Sequence, residues 1–213
     1  MTGSVEEVRG QKAIVRFDSG KCIHSRNCVL DRPDVFVPNV EGEWIKPDNA
    51  TPEALLRLAI NCPSGAITVE RLDGGESEAA PLVNTVRIRE NGPLALHGNL
   101  AIAGQEKTLR ATLCRCGHSQ RKPYCDGSHT GASFQATGEP KVKESAALAR
   151  RDGPLKVLPL PNGPLQAQGA LEVVTGTGHT VNRVMQTYLC RCGGSANKPY
   201  CDGTHAKIGF KAP

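Results

Sequence analysis

Apolar residues fall along most of this chain in short alternating runs closed off by glycine and proline, the period-two pattern of half-buried strands. Val86 and Ile88, Leu94 and Leu96, Leu109 to Leu113, Leu171 to Val174, and Thr187 to Leu189 predict strands on this basis. The first seventy residues read differently. Strands are expected over Ala13 to Phe17 and Ala66 to Glu70, with a helix between them that Thr51 caps and Pro52 begins. A further short helix is expected at Glu144 to Arg151, inside a polar stretch over 138–153. The fold class is therefore α+β, mainly β.

An internal repeat organises the second part of the chain. Cys114, Cys116, Cys125 and His129 recur as Cys190, Cys192, Cys201 and His205, each offset by 76 positions, and twelve of the sixteen residues from Cys114 to His129 are repeated. Upstream, Asn91-Gly92-Pro93-Leu94 matches Asn162-Gly163-Pro164-Leu165 at an offset of 71, so the second copy has five extra residues around Val174 to Asn182, expected as a loop. Leu72 to Pro81 is small, acidic and turn-rich, which marks a linker. Three domains are expected, over 1–73, 82–138 and 154–213.

Nine cysteines are an odd number for disulfide pairing, and MTGSVEEVRG has acidic residues where a secretory signal would be apolar. A cytoplasmic setting is expected, where thiols stay reduced and metal binding is their leading use. The longest apolar stretch, Ala54 to Ile60, is interrupted by Arg57 and far too short to span a bilayer. The formal charge of +5 counts cysteines as neutral. Three oxidised clusters on nine thiolates would bring it to about +1, and no aromatic-interleaved basic stripe is present, so neither nucleic acid nor membrane is an expected partner.

Cys114-x-Cys116 places two thiolates close enough to grip one iron, and Cys125 with His129 four residues on can grip a second. Asp126 and Asp202 suit the helix starts, Gly127 and Gly203 allow close backbone approach, and Pro123 and Pro199 stiffen the loop between ligand pairs. A structural zinc site is the competing reading of a Cys₃His set, although zinc sites favour Cys-x₂₋₄-Cys knuckles. Replacing a thiolate by neutral imidazole raises the reduction potential and makes the site sensitive to histidine protonation.

Both segments, with Cys-x-Cys-x₂-Ser-x₃-Pro-x-Cys-Asp-Gly-Ser/Thr-His complete, resemble the CDGSH iron-sulfur domain of the mitoNEET-like group, apart from Thr204 where the first copy has Ser128. The resemblance implies a β-rich, NEET-like pseudo-dimer within one chain, two motif-bearing units interlocked about a pseudo-two-fold axis. It also implies two [2Fe-2S] clusters, one on Cys114, Cys116, Cys125 and His129, the other on Cys190, Cys192, Cys201 and His205.

Cys22, Cys28 and Cys62-Pro63 remain. Over residues 12 to 71 this pattern resembles a divergent single-cluster ferredoxin domain in which Ser25 stands at the middle ligand position. Three thiolates make a [3Fe-4S] cluster the simplest occupant, with a [4Fe-4S] cluster completed by His24, Ser25 or solvent as the alternative; ordinary buried cysteines are the bland reading. His97, His118 and His179 gain no support from the repeat and are expected at the surface, Trp44 is expected as core or lid, and Arg115 and Arg191 are expected either to offset cluster charge or to be solvated.

No phosphate loop, flavin fingerprint or acid/base constellation appears, so an enzyme is not expected. The sequence points to a monomeric electron carrier whose partner is a redox protein. Storage of clusters and their delivery to an apo iron-sulfur acceptor is the first rival, and a redox-sensing interaction module the second.

Overall fold

A computed structural model describes residues 4–102 and 107–213, which divide into two compact units, 1–79 and 80–213. In the first unit β1 (Val5–Arg9) runs antiparallel to β2 (Ala13–Asp18), followed by α1 (Asn27–Asp31) and α2 (Pro52–Ile60), and β3 (Ile67–Arg71) returns antiparallel to β2. The Thr51 hydroxyl accepts from the Ala54 amide at 3.3 Å, which satisfies an otherwise orphaned donor at the start of α2. Leu55, Leu58 and Ala59 of α2 share one face and are buried with Val15, Val35, Phe36, Ile45 and Ile67.

The second unit is built twice over. Copy one contributes β4 (Thr85–Ile88), β5 (Leu94–Ile102), β6 (Thr108–Leu113) and the single turn α3 (Ser128–Gly131). Copy two contributes β7 (Pro154–Pro159), β8 (Leu165–Val174), β9 (Thr180–Leu189) and α4 (Thr204–Lys207). Within a copy the strands pair antiparallel, β5 with β4 and β6, and β8 with β7 and β9. Between copies they pair parallel. The far half of β5 lies beside β7, with Asn99 opposite Pro154, and the far half of β8 lies beside β4, with Thr85 opposite Glu172.

Strand order thus closes into a circuit, β4-β5-β7-β8 and back to β4, in which each copy's first strand is shared with the other copy's second. Bulges after His97 and Gln168 divide β5 and β8 into a half that pairs with the first strand of its own copy and a half that pairs with the first strand of the other. Residues of both copies, among them Val86, Leu100, Leu113, Leu155, Leu171 and Leu189, form one buried cluster. Asn84, fully buried, stitches the copies together by donating to the Gly153 and Ala170 carbonyls at 2.9 and 3.0 Å while accepting from the Asn99 amide at 3.0 Å.

The helix expected at Glu144 to Arg151 does not form. Its upstream end is committed elsewhere, since the Lys143 amide donates to the Val181 carbonyl at 2.8 Å and Ser145 Oγ accepts from the Arg183 amide at 3.0 Å, both on β9. The loop expected around Val174 to Asn182 is a turn over 175–179, with Val174 closing β8 and Thr180 to Asn182 opening β9; the matching hairpin tip of copy one falls on 103–106, outside the described residues. No helix among the described residues is long and apolar enough to cross a membrane.

Candidate metal centres

Each Cys-x-Cys leaves the end of a central hairpin, where the chain turns back so that the Cys114 amide donates to the Pro123 carbonyl and the Cys190 amide to the Pro199 carbonyl, both at 2.8 Å. The Lys122-Pro123 and Lys198-Pro199 peptide bonds are cis. Ser119 and Ser195 are buried and donate from Oγ to the Tyr124 and Tyr200 carbonyls at 2.6 and 2.7 Å, which fixes the loop between the two halves of each ligand set.

Donors meet in pairs. Cys114 and Cys116 Sγ stand 3.7 Å apart, and Cys190 and Cys192 Sγ 3.9 Å apart. Nδ1 of His129 lies 3.4 Å from Cys125 Sγ, and Nδ1 of His205 3.3 Å from Cys201 Sγ. Tetrahedral bonds of 2.3 Å to a metal set two sulfurs about 3.8 Å apart, so each pair spans a single metal ion. Among the described residues no three His, Cys, Asp or Glu side chains close around one ion, as a mononuclear zinc site requires. Two pairs per copy, each matched to its own metal, fit a two-iron centre.

The backbone supports negative sulfur at these positions. Amides of His118, Gly127, Gly194 and Gly203 approach Cys116, Cys125, Cys192 and Cys201 Sγ, each at 3.4 Å. Gly127 and Gly203 do this with positive φ of 86° and 87°, a backbone state that costs glycine nothing. Asp126 Oδ1 accepts from the Ser128 amide at 3.0 Å and Oδ2 from the Gln120 amide at 2.8 Å, and Asp202 repeats both contacts with Thr204 and Ala196. Each aspartate therefore ties the histidine's turn to the ligand loop.

Burial and mutual hydrogen bonding set the protonation of these thiols. Cys114 and Cys116 titrate as a pair: the hydrogen bond from the Cys116 thiol holds Cys114 down to about 6, and the second proton of the pair is correspondingly hard to remove. Burial pushes Cys125 and Cys190 each up to about 11. Burial also lowers His129, against the opposing pull of Asp126, and so favours the neutral imidazole that ligates metal.

Arg115 and Arg191 are not solvated. Each is 1% exposed, with the guanidinium turned inward to backbone carbonyls. Sequence patterning leaves solvation open for them, because the backbone oxygens that receive them lie 21 to 31 residues away along the chain. His118 and His179 are exposed, while His97 is half-buried within β5.

In the N-terminal unit Cys22, Cys28 and Cys62 line one cavity of about 410 Å³, with His24, Ser25, Trp44 and Ser64 on its walls. The chain reaches this geometry through positive φ at His24 (53°) and Arg26 (63°), which curls 22–28 over the cavity. The His24 amide lies 3.4 Å from Cys22 Sγ, and Ser64 Oγ lies 3.6 Å from Cys62 Sγ. Ser64 was not singled out from the sequence, where only its place two residues after Cys62 hinted at it. Trp44 stacks edge-on to Phe17 and Phe36 at 5.0 and 5.6 Å, and its Nε1 donates to Glu6 at 3.0 Å. Burial raises Cys22 and Cys28.

Comparison with known proteins agrees with this geometry. A family model described as an iron-binding zinc finger of CDGSH type matches residues 91–130 and 162–206, and one described as a divergent 4Fe-4S mono-cluster matches residues 8–72. The uncharacterized protein YjdI of Escherichia coli, from strains K12 and O157:H7, is 36% identical over 59 residues, which is 27% of this chain and 75% of YjdI. The chain belongs to the CDGSH iron-sulfur family, as a tandem member preceded by a divergent mono-cluster domain. It is an iron-sulfur protein.

Proposed function

We propose that the protein is an electron carrier with two [2Fe-2S] clusters, held by Cys114, Cys116, Cys125 and His129 and by Cys190, Cys192, Cys201 and His205, and a third cluster on Cys22, Cys28 and Cys62. The observation that carries this reading is the pairing of donors in both copies, Cys with Cys and Cys with His, each at the span of one tetrahedral metal ion. Bound clusters supply one-electron chemistry. The chain's own part is to hold the thiolates, direct amides at their sulfurs and keep His129 neutral. For the N-terminal site three thiolates around one cavity favour [3Fe-4S], with [4Fe-4S] as the alternative. The protein works as a cytoplasmic monomer with a redox protein as partner, and carries out no substrate chemistry of its own.

Partial exposure of His129 and His205 favours a second reading, delivery of clusters to an apo acceptor, because an accessible histidine is the ligand most easily displaced. Repeated reduction with dithionite and reoxidation in air, with iron counted after each cycle, separates the two. A carrier keeps its iron through the cycles and transfers little to apo-ferredoxin; near-stoichiometric transfer would replace carriage by delivery.

A further inference from the structure

We propose that Ser64 is a positioning residue for the N-terminal centre: its hydroxyl donates a hydrogen bond to the Cys62 sulfur and so favours the reduced state of a cluster held by Cys22, Cys28 and Cys62. This rests on the reading above that these three cysteines carry a cluster.

The turn after α2 brings the two side chains together. The Gly65 amide donates to the Cys62 carbonyl at 3.3 Å, and Gly65 has a positive φ of 69°, so Cys62-Pro63-Ser64-Gly65 closes tightly. Ser64 is 4% exposed and Cys62 8%, and both line the cavity of about 410 Å³ that Cys22 and Cys28 share. The segment bearing Cys28 is tied to the same turn, because Asn27 Nδ2 donates to the Asn61 carbonyl at 2.9 Å.

The direction of the hydrogen bond follows from what each atom can offer. Ser64 Oγ accepts from the Ala66 amide at 3.3 Å and lies 3.6 Å from Cys62 Sγ. A hydroxyl has one proton to give and a metal-bound thiolate has none, so oxygen is the donor. Burial of both residues keeps water from competing for the sulfur. One-electron reduction takes a three-thiolate [3Fe-4S] centre from about −2 to about −3, and the added charge on its sulfurs strengthens a hydrogen bond to them. In the other two centres backbone amides of His118, Gly127, Gly194 and Gly203 face the ligand sulfurs. At Cys62 a side-chain hydroxyl does so, and a substitution can remove it.

Potentiometric titration of the whole chain, followed by EPR, tests this. An oxidised three-iron centre is paramagnetic while oxidised diferric pairs are silent, so the N-terminal signal is read alone; a four-iron centre is read from Mössbauer spectra of the same titration. S64A should weaken the reduction equilibrium of this centre about tenfold, about 59 mV for one electron, with iron content and the potentials of the other two centres unchanged. S64T keeps the hydroxyl and should restore most of the shift, whereas S64V, which matches threonine in shape but lacks the hydroxyl, should not. No shift in S64A with iron retained, or equal shifts in S64T and S64V, would overturn the proposal. Iron lost from S64A and S64V but kept in S64T would make Ser64 a cluster ligand instead, and iron lost from all three variants would make it a packing residue. Absence of any N-terminal cluster signal in the unsubstituted protein is a separate outcome, which removes the reading beneath.

Discussion

Cys116 and Cys192, 76 residues apart in the chain, face each other as antiparallel bridge partners at the crossing point of the two copies. The glycine after each makes this approach possible. A Cβ on Gly117 would lie 2.5 Å from the Cys192 carbonyl oxygen, and one on Gly193 would meet the Cys116 carbonyl just as closely, with φ of 86° and 79°.

G117A should therefore damage both copies, by the left-handed strain of about 1–2 kcal/mol and by the backbone clash as well. Gly127 is the control, because its φ is also 86° but nothing lies within 4 Å of a Cβ built there. G127A should cost only the strain. Chemical denaturation and iron content of the two variants check this: G117A is expected to lose iron from both two-iron centres, and G127A to retain it. Equal effects would mean that the bridge does not hold the copies together.

The one tryptophan of the chain, Trp44, lines the cavity shared by Cys22, Cys28 and Cys62. A cluster there should quench its fluorescence. C28S is expected to brighten Trp44 severalfold relative to the parent and to lower iron by about three per chain, leaving the absorption of the other two centres in place. Unchanged emission and iron would return the three cysteines to a packing role.

Glu172 is buried on β8 beneath Arg151 and Thr180, which donate to it at 2.7 and 2.9 Å. Burial opposes its charge, but these partners outweigh burial and hold its pKa below the usual 4.5. A depressed carboxylate contributes stability that is fully present above the unfolded pKa and is lost as pH falls through the folded one. E172Q should thus cost about 2 kcal/mol at pH 7, a difference that narrows below pH 4.5. Denaturation of both proteins between pH 7 and 3.5 measures it, and a pH-independent difference would assign the effect to packing.

The repeated cysteine and histidine pairs, the strands around them and the capped helix at Thr51 were legible in the sequence because each depends on residues a few positions apart. Cys114 to His129 lie close along the chain, so spacing alone indicated pairs of donors. What spacing could not reveal was the exchange of strands between copies, in which Asn99 pairs with Pro154 and Thr85 with Glu172. Nor could it reveal the burial of Arg115 and Arg191, whose backbone partners lie 21 to 31 residues away along the chain. The helix expected at Glu144 to Arg151 was lost for the same reason, since the edge of β9 offers the backbone around Lys143 and Ser145 partners that a helix would have had to supply.

Iron and sulfide quantitation with Mössbauer spectroscopy, on the anaerobically purified protein and its H129C/H205C variant, tests the central claim most directly. The account predicts about seven irons per chain, as two diferric pairs altered by the substitutions and a separate N-terminal signal that is not. Zinc without sulfide, or pairs untouched by the histidine substitutions, would contradict it.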